Sequence, residues 1–256
     1  MAKIIATANQ KGGVGKTTTA VNLSACVADA GKRVLLVDLD PQGNATSGLG
    51  ISPKGGYTLY EVMLGECEPR QAVRVTRFKN LSIIPASVDL SGCEIELVGV
   101  EMRESVLKNA LKPLEAEYDY IFIDSPPSLG LLTLNALTCA DSVLVPIQCE
   151  YYALEGVGQL MNTLQLVRKR LNPALDVEGV VLTMLDGRTN LGLQVVSEVK
   201  KYFKGKVFST VVPRNVRLSE APSHGLPIHI YDPKCSGTEA YVKLAAELIK
   251  RNEAGQ

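Results

Sequence analysis

The chain has 256 residues, 46% of them hydrophobic, and its 27 Lys+Arg balance 27 Asp+Glu. That is enough apolar material for one large α/β core or two small ones, and zero net charge excludes a globally basic nucleic-acid binder, so any nucleic-acid contact must come from a local patch. No apolar run is long enough to span a membrane, no signal peptide is evident, and Cys26, Cys67, Cys93, Cys139, Cys149 and Cys235 form no C-x-x-C pair, which points to reduced thiols in the cytosol. His224 and His229 stand alone, which speaks against zinc.

From the N-terminus, short apolar runs alternate with amphipathic segments. Strands are predicted at Lys3–Ala8, Arg33–Asp38, Leu81–Ile84, Tyr120–Asp124, Ser142–Ile147, Gly179–Leu185 and Val207–Val212. Most are unbroken runs of Val, Ile and Leu, the pattern of strands covered on both faces. Helices are predicted from about Lys16 to Ala30 and near Leu107–Glu117, Ala153–Leu171, Leu191–Phe203 and Thr238–Lys250. In the first, Ala20, Leu23, Val27 and Ala30 share a face, and Gly31 stops the helix. The alternation predicts an α/β fold: a doubly wound, mostly parallel sheet with helices on both faces and right-handed crossovers. No repeat, low-complexity tract or linker interrupts it. Residues 1–256 therefore read as a single domain, with Gly48–Tyr57 a loop inside it.

Between the first strand and the first helix lies Lys11-Gly12-Gly13-Val14-Gly15-Lys16-Thr17-Thr18. Glycines let successive backbone N–H groups turn inward around an anion, and the following helix adds the positive end of its dipole. Lys16 can then reach the outer phosphates of a nucleotide, and the Thr17 hydroxyl can ligate Mg²⁺. The usual phosphate-loop pattern places a glycine where this chain has Gln10, and a second lysine, Lys11, appears instead. Lys11 is either a solvated turn residue or a cation aimed at a nucleotide on another chain. A dinucleotide fingerprint fails, because Gly13, Gly15 and Thr18 leave its third glycine missing.

Ligands of such a sheet sit beyond the carboxyl ends of its strands. Val34–Gly43 ends the second strand with Asp38 and Asp40; Asp38 can hold a metal shell through water and Asp40 can polarise an attacking water, unless the two only shape the turn before Pro41. Tyr120–Pro127 is an apolar strand ending in Asp124, placed to ligate Mg²⁺ through water, with Ser125–Leu129 facing the terminal phosphate. Val211–Asn215 ends the last strand, where Pro213 and the Asn215 amide can meet an adenine ring; read alone it is an ordinary strand exit.

With Lys11–Thr18, Val34–Gly43 and Ile121–Pro127 in view, the chain resembles ParA/Soj-type partitioning ATPases of the ParA/MinD family, which carry a deviant Walker A loop. The likeness runs from Lys3 to about Leu248 and includes Asp38–Gly48 and Pro213–Gly225. The resemblance implies the P-loop NTPase fold, ATP and Mg²⁺ as ligands, and an ATP-bound sandwich homodimer in which Lys11 reaches the other chain's phosphates. It implies nucleotide contacts along Lys11, Gly12, Gly13, Val14, Gly15, Lys16, Thr17 and Thr18, a hydrolytic role for Asp40 beside Lys11 and Lys16, and metal contacts at Thr17, Asp38 and Asp124. It places Pro213 and Asn215 in the adenine loop and Arg188 on DNA; Arg214 and Arg217, with Lys200 and Lys201, are further candidates for phosphate contacts, or ordinary solvated charges. It further implies non-specific binding of double-stranded DNA, slow hydrolysis stimulated by a ParB/Spo0J-type centromere-binding partner, and a cytoplasmic, nucleoid-associated protein. Because Lys3 already starts the first strand, no helix-turn-helix extension is expected. The alternative is a MinD-like membrane-cycling or protein-positioning ATPase, which needs the amphipathic tail from Tyr241 to Arg251 free to lie on lipid; a helix packed on the sheet is the expectation, and no membrane contact.

Overall fold

The computed structural model describes residues 1–150, 153–185 and 190–254. The first half runs β1 (Lys3–Thr7), α1 (Lys16–Asp29), β2 (Val34–Asp38), α2 (Asn44–Gly48), α3 (Leu59–Leu64), α4 (Pro69–Ala72), β3 (Arg74–Val75), β4 (Leu81–Ile84), α5 (Cys93–Glu96), α6 (Val106–Leu111) and β5 (Tyr120–Asp124). The second half runs α7 (Leu131–Cys139), β6 (Ser142–Gln148), α8 (Ala153–Arg170), β7 (Asp176–Leu185), α9 (Asn190–Tyr202), β8 (Val207–Pro213), α10 (Val216–Glu220), α11 (Ile228–Tyr231) and α12 (Ser236–Ala254). Among the described residues one eight-stranded sheet has the order β3-β4-β2-β5-β1-β6-β7-β8, and only the short β3 pairs antiparallel.

The unbroken apolar strands are explained by two cores, one on each face. Along β1, β2 and β5, Ile4, Leu35, Val37, Ile121 and Ile123 join the core with residues of α3, α6, α7, α8 and α9. Their neighbours Ile5, Val34, Leu36, Tyr120 and Phe122 point the other way, into the core with α1 and α12. Alternation along a strand therefore separates two apolar layers rather than core from solvent.

Differences from the predicted elements have local causes. The helix expected over Leu107–Glu117 breaks after Leu111 into a 3₁₀ turn at Lys112–Leu114, because Pro113 has no N–H to donate. The nine-residue α7 carries no polar face, since seven of its residues are buried, so no amphipathic period announces it. Asn44–Gly48 is helical, and the loop begins only beyond it.

The exposed edge at β8 is closed by α12. Glu247 accepts from Ser209 N and Oγ (2.9 and 2.8 Å) and from Thr210 N and Oγ (3.1 and 2.9 Å). Arg251 pairs with Glu247 at 2.6 Å and lies 4.0 Å from the Phe208 ring centre. Edge N–H groups are thus capped instead of being left to recruit another strand. Burial alone would raise the Glu247 carboxyl, but the bonds from Ser209 and Thr210 outweigh it and hold it at about 2. A depressed carboxyl stabilises the fold above its ordinary value of 4.5, and that contribution disappears as pH falls from there towards 2. Glu247→Gln is expected to lower stability by about 1–2 kcal/mol at neutral pH. Thermal melts of both proteins between neutral and acid pH should converge as pH drops; a constant gap would reject the charge-based account.

Candidate active site

β2, β5 and β1 lie side by side, and register places Asp38 opposite Asp124 and Asp124 opposite Thr7. All three side chains are fully buried at the carboxyl edge of the sheet. Neither carboxylate oxygen of Asp124 has a hydrogen-bond partner, and the Thr7 hydroxyl has none either. Burial, then the charge of Asp38, push the Asp124 carboxyl well above the usual carboxylate range; the nearby Thr17 hydroxyl and the Lys16 ammonium pull it partway back without completing a bond. A buried carboxylate left unsatisfied on both oxygens is what a strand-end ligand for a hydrated cation looks like when the cation's shell supplies its partners.

Asp38 is used differently. Its Oδ2 accepts from Thr46 N and Oγ1, each at 2.7 Å, and its Oδ1 from Asp40 N at 3.3 Å. Burial raises this carboxyl to about 6 against the Thr46 bonds that oppose it. Asp38 thereby fixes the loop that presents Asp40, whose own Oδ1 accepts from Gln42 N at 3.0 Å.

The glycine loop forms an open cradle. A Cβ on Gly12 or Gly13 would meet nothing within 4 Å, Gly13 has φ +74°, and Gly15 holds φ +86° as the N-cap of α1. That left-handed cap is strained for any other residue. α1 has no side-chain cap and no acid in its first turn, so its N-terminal N–H groups are left for an external anion. Lys16 is 7% exposed and donates to Lys11 O at 3.3 Å. Burial lowers its ammonium, while Asp124 and Asp40 act to keep it charged. The resulting cavity of about 340 Å³ is lined by Gly12, Gly13, Lys16, Thr17, Asp40 and Pro127. Val14 lies outside it, buried, its carbonyl accepting from Thr183 Oγ1 at 2.9 Å, which ties the loop to β7.

Other expected residues are not gathered there. Lys11 Nζ lies 3.8 Å from Glu150 of its own chain, and Arg214 reaches the other oxygen of the same carboxylate at 3.4 Å. Pro213 lines a separate recess between β8 and α12. The Asn215 amide caps α10 by accepting from Arg217 N at 2.8 Å, and it donates to Ser236 at 2.9 Å. Arg217 pairs with Glu220 at 2.8 Å and Asp232 at 3.5 Å, and Lys201 pairs with Glu198 at 2.7 Å. Arg188 lies outside the described residues.

Several contributors carry no sequence signal. Asn9 braces the loop by donating to Pro146 O at 2.7 Å and accepting from Lys11 N at 3.1 Å. Thr46, Glu150 and Thr183 find their partners through the fold, so spacing could not single them out. Met184, at φ +53°, lines the cavity beside Gly15.

An uncapped helix start, a lysine over it and an orphaned strand-end aspartate on the adjacent strand define a P-loop nucleotide-binding protein. A family model described as an AAA domain matches residues 2–177. The sporulation initiation inhibitor protein Soj of Bacillus subtilis is 61% identical over 97% of this chain and 98% of its own length. The chromosome partitioning protein ParA of Myxococcus xanthus is 57% identical over 98% of this chain and 89% of its own. A crystal structure of cobyrinic acid a,c-diamide synthase from Mycobacterium smegmatis with bound ADP and magnesium superposes with a TM-score of 0.88, at 39% identity, covering 100% of this chain and 97% of that one. The chain belongs to the ParA/Soj family of chromosome-partitioning ATPases.

Proposed function

We propose that this chain is an ATP-dependent DNA-partitioning switch acting as one domain over residues 1–256. ATP binding assembles a homodimer that holds double-stranded DNA without sequence preference, and hydrolysis, stimulated by a ParB/Spo0J-type centromere-binding partner, releases it. The observation that carries the reading is the cradle itself: the bare N-terminus of α1 under Lys16, beside an Asp124 with no partner of its own.

The phosphates would lie on the N–H groups from Gly12 to Thr18, with Lys16 at the outer ones. Thr17, with Asp124 and Asp38 behind it, would hold Mg²⁺, which when bound neutralises phosphate charge. Asp40, on the loop fixed by Asp38 and Thr46, would accept the proton of the attacking water. Lys11, on leaving Glu150, would reach the phosphates of the other chain. Pro213 and Asn215 would border the base, and Arg188, Arg214 and Arg217 would meet DNA phosphates. About three such contacts per protomer would give a salt slope near −2.7, and a dimer near −5.4, so pairing alone switches affinity. Among the described residues no second cation beside Lys16 is aimed at the leaving oxygen except Lys11 in trans, so hydrolysis would be slow until the partner acts; a cation supplied in trans is worth about 10³–10⁵ in rate. The protein would then work in the cytoplasm, on the nucleoid.

The membrane-cycling alternative draws no support from α12. Tyr241, Leu244 and Leu248 on its apolar face are fully buried against the sheet and α1, and no helix among the described residues is long and apolar enough to cross a membrane.

Asp40→Ala is expected to bind ATP as the wild type does, to turn over about 10²–10⁴ times more slowly, and to accumulate as a DNA-binding dimer. Light scattering and DNA retention with ATP and with ADP test this. A variant that stays single-chained with ATP and ignores DNA would reduce the reading to a generic nucleotide hydrolase.

A further inference from the structure

Between β4 and α6 the chain makes a nearly continuous helical stretch, a 3₁₀ turn at Val88–Gly92, then α5, then a 3₁₀ turn at Leu97–Gly99. Its inner face, Leu90, Cys93 and Leu97, is buried in the core and holds the stretch in place. Its outer face is apolar and bare: Val88 is 74% exposed, Ile95 78% and Val98 62%, continued by Val100 at 44% and Met102 at 69%. Large apolar side chains grouped this way on a surface mark an interaction site.

Within the stretch the charge has one sign, and the first cation beyond it, Arg103, pairs with its neighbour Glu104 at 3.5 Å. Asp89, Glu94, Glu96 and Glu101 are exposed, residues 80–102 contain no Lys, Arg or His, and among the described residues no cation forms an ion pair with any of the four. Asp89 accepts from the Ser87 hydroxyl and Glu96 from that of Tyr60, both neutral donors. DNA and anionic lipid would be repelled, and the same face on a second copy would repel itself. The complement is a peptide segment with lysines or arginines interleaved with apolar residues at helical spacing.

The face also has a short mechanical route to the nucleotide site. Ala86 N, two residues before Val88, donates to Thr46 Oγ1 at 3.0 Å, and that hydroxyl donates to Asp38 at 2.7 Å. We infer that the Val88–Met102 face is the docking surface for a basic amphipathic segment of a partner protein, and that docking acts on the Asp38–Asp40 loop through Ala86 and Thr46. The second clause rests on the switch proposed above; the docking itself does not.

The test uses the full chain and a labelled synthetic helical peptide of leucine and lysine, about 18 residues long, with a leucine–glutamate peptide as control. Anisotropy without nucleotide should show binding of the lysine peptide only, weakened between about 0.05 and 0.5 M salt. Glu94→Lys with Glu96→Lys, and separately Ile95→Ser with Val98→Ser, should each weaken it by about ten-fold or more while circular dichroism melts and ATP binding stay as in the wild type. Equal binding by wild type and variants, or no binding, would overturn the docking surface. A wild-type mass that rises with concentration and is lost in the variants would assign the face to a second copy and overturn it too. ATPase turnover is read separately: the peptide should raise it several-fold in the wild type and not in the variants. Unchanged turnover with intact binding would overturn the route through Thr46 alone.

Discussion

Lys16→Ala is expected to weaken ATP binding by about 10²–10³-fold, read by titration calorimetry with Mg²⁺ present. Lys16 is the cation closest to the cradle, is buried, and is flanked by Asp124 and Asp40. In that setting water cannot screen its interaction with a phosphate, and truncating one member of a buried charge pair costs about 2–5 kcal/mol. Helix-terminal N–H groups remain in the variant, so weak binding to the inner phosphates should survive. Lys16 also answers the carboxylates behind it. Without it, Asp124, Asp38 and Asp40 share one buried corner from which the cation acting on Asp124 has been removed, and the nucleotide-free variant should melt below the wild type. Wild-type affinity in the variant would mean that the phosphates lie elsewhere.

Asp124→Asn should move binding and stability in opposite directions. Both oxygens of Asp124 are buried without partners, and Asp38 faces it across the register. An amide removes the charge that burial and Asp38 disfavour, so the nucleotide-free protein should gain about 1–2 kcal/mol, or roughly 2–8 °C in Tm for a chain of this size. The same change removes the carboxylate behind the metal position, and the extra Tm that ATP gains from added Mg²⁺ should vanish. Groups kept for ligand binding at a cost to the empty fold show this trade. A variant that is less stable without nucleotide, or that keeps its magnesium-dependent gain, would recast Asp124 as a structural group.

Reading the chain by its apolar runs works where packing is two-sided. Tyr120–Asp124 and Leu81–Ile84 match the predicted bounds because short, mostly apolar runs of this kind are taken up by a core on each face. The phosphate loop is legible for a different reason: its function needs bare backbone, and glycines leave a pattern. The reading fails where partners are distant or periodicity is absent. α7 is buried nearly all round, its Thr133, Asn135 and Thr138 included, and leaves no polar face to detect. Thr46 looks like any loop threonine until the fold brings Asp38 and Ala86 to it. That the Asn215 side chain caps α10, whatever else it meets, follows from a contact only the fold displays. The acidic, apolar run from Val88 to Met102 was visible as letters, but only its inner anchors at Leu90, Cys93 and Leu97 reveal which side chains remain outside.

Glu150 touches Lys11 with one carboxylate oxygen and Arg214 with the other, and all three side chains are substantially open to solvent. Such a pair is worth less than about 1 kcal/mol, so it parks the lysine without locking it. A resting protomer therefore keeps this cation tucked against itself at almost no energetic penalty, and in the proposed dimer a neighbour's triphosphate would draw it away easily. If Lys11 departs, the glutamate keeps both the Gln148 amide and Arg214, so the carboxylate would stay anchored on its own chain while the lysine crosses to the other.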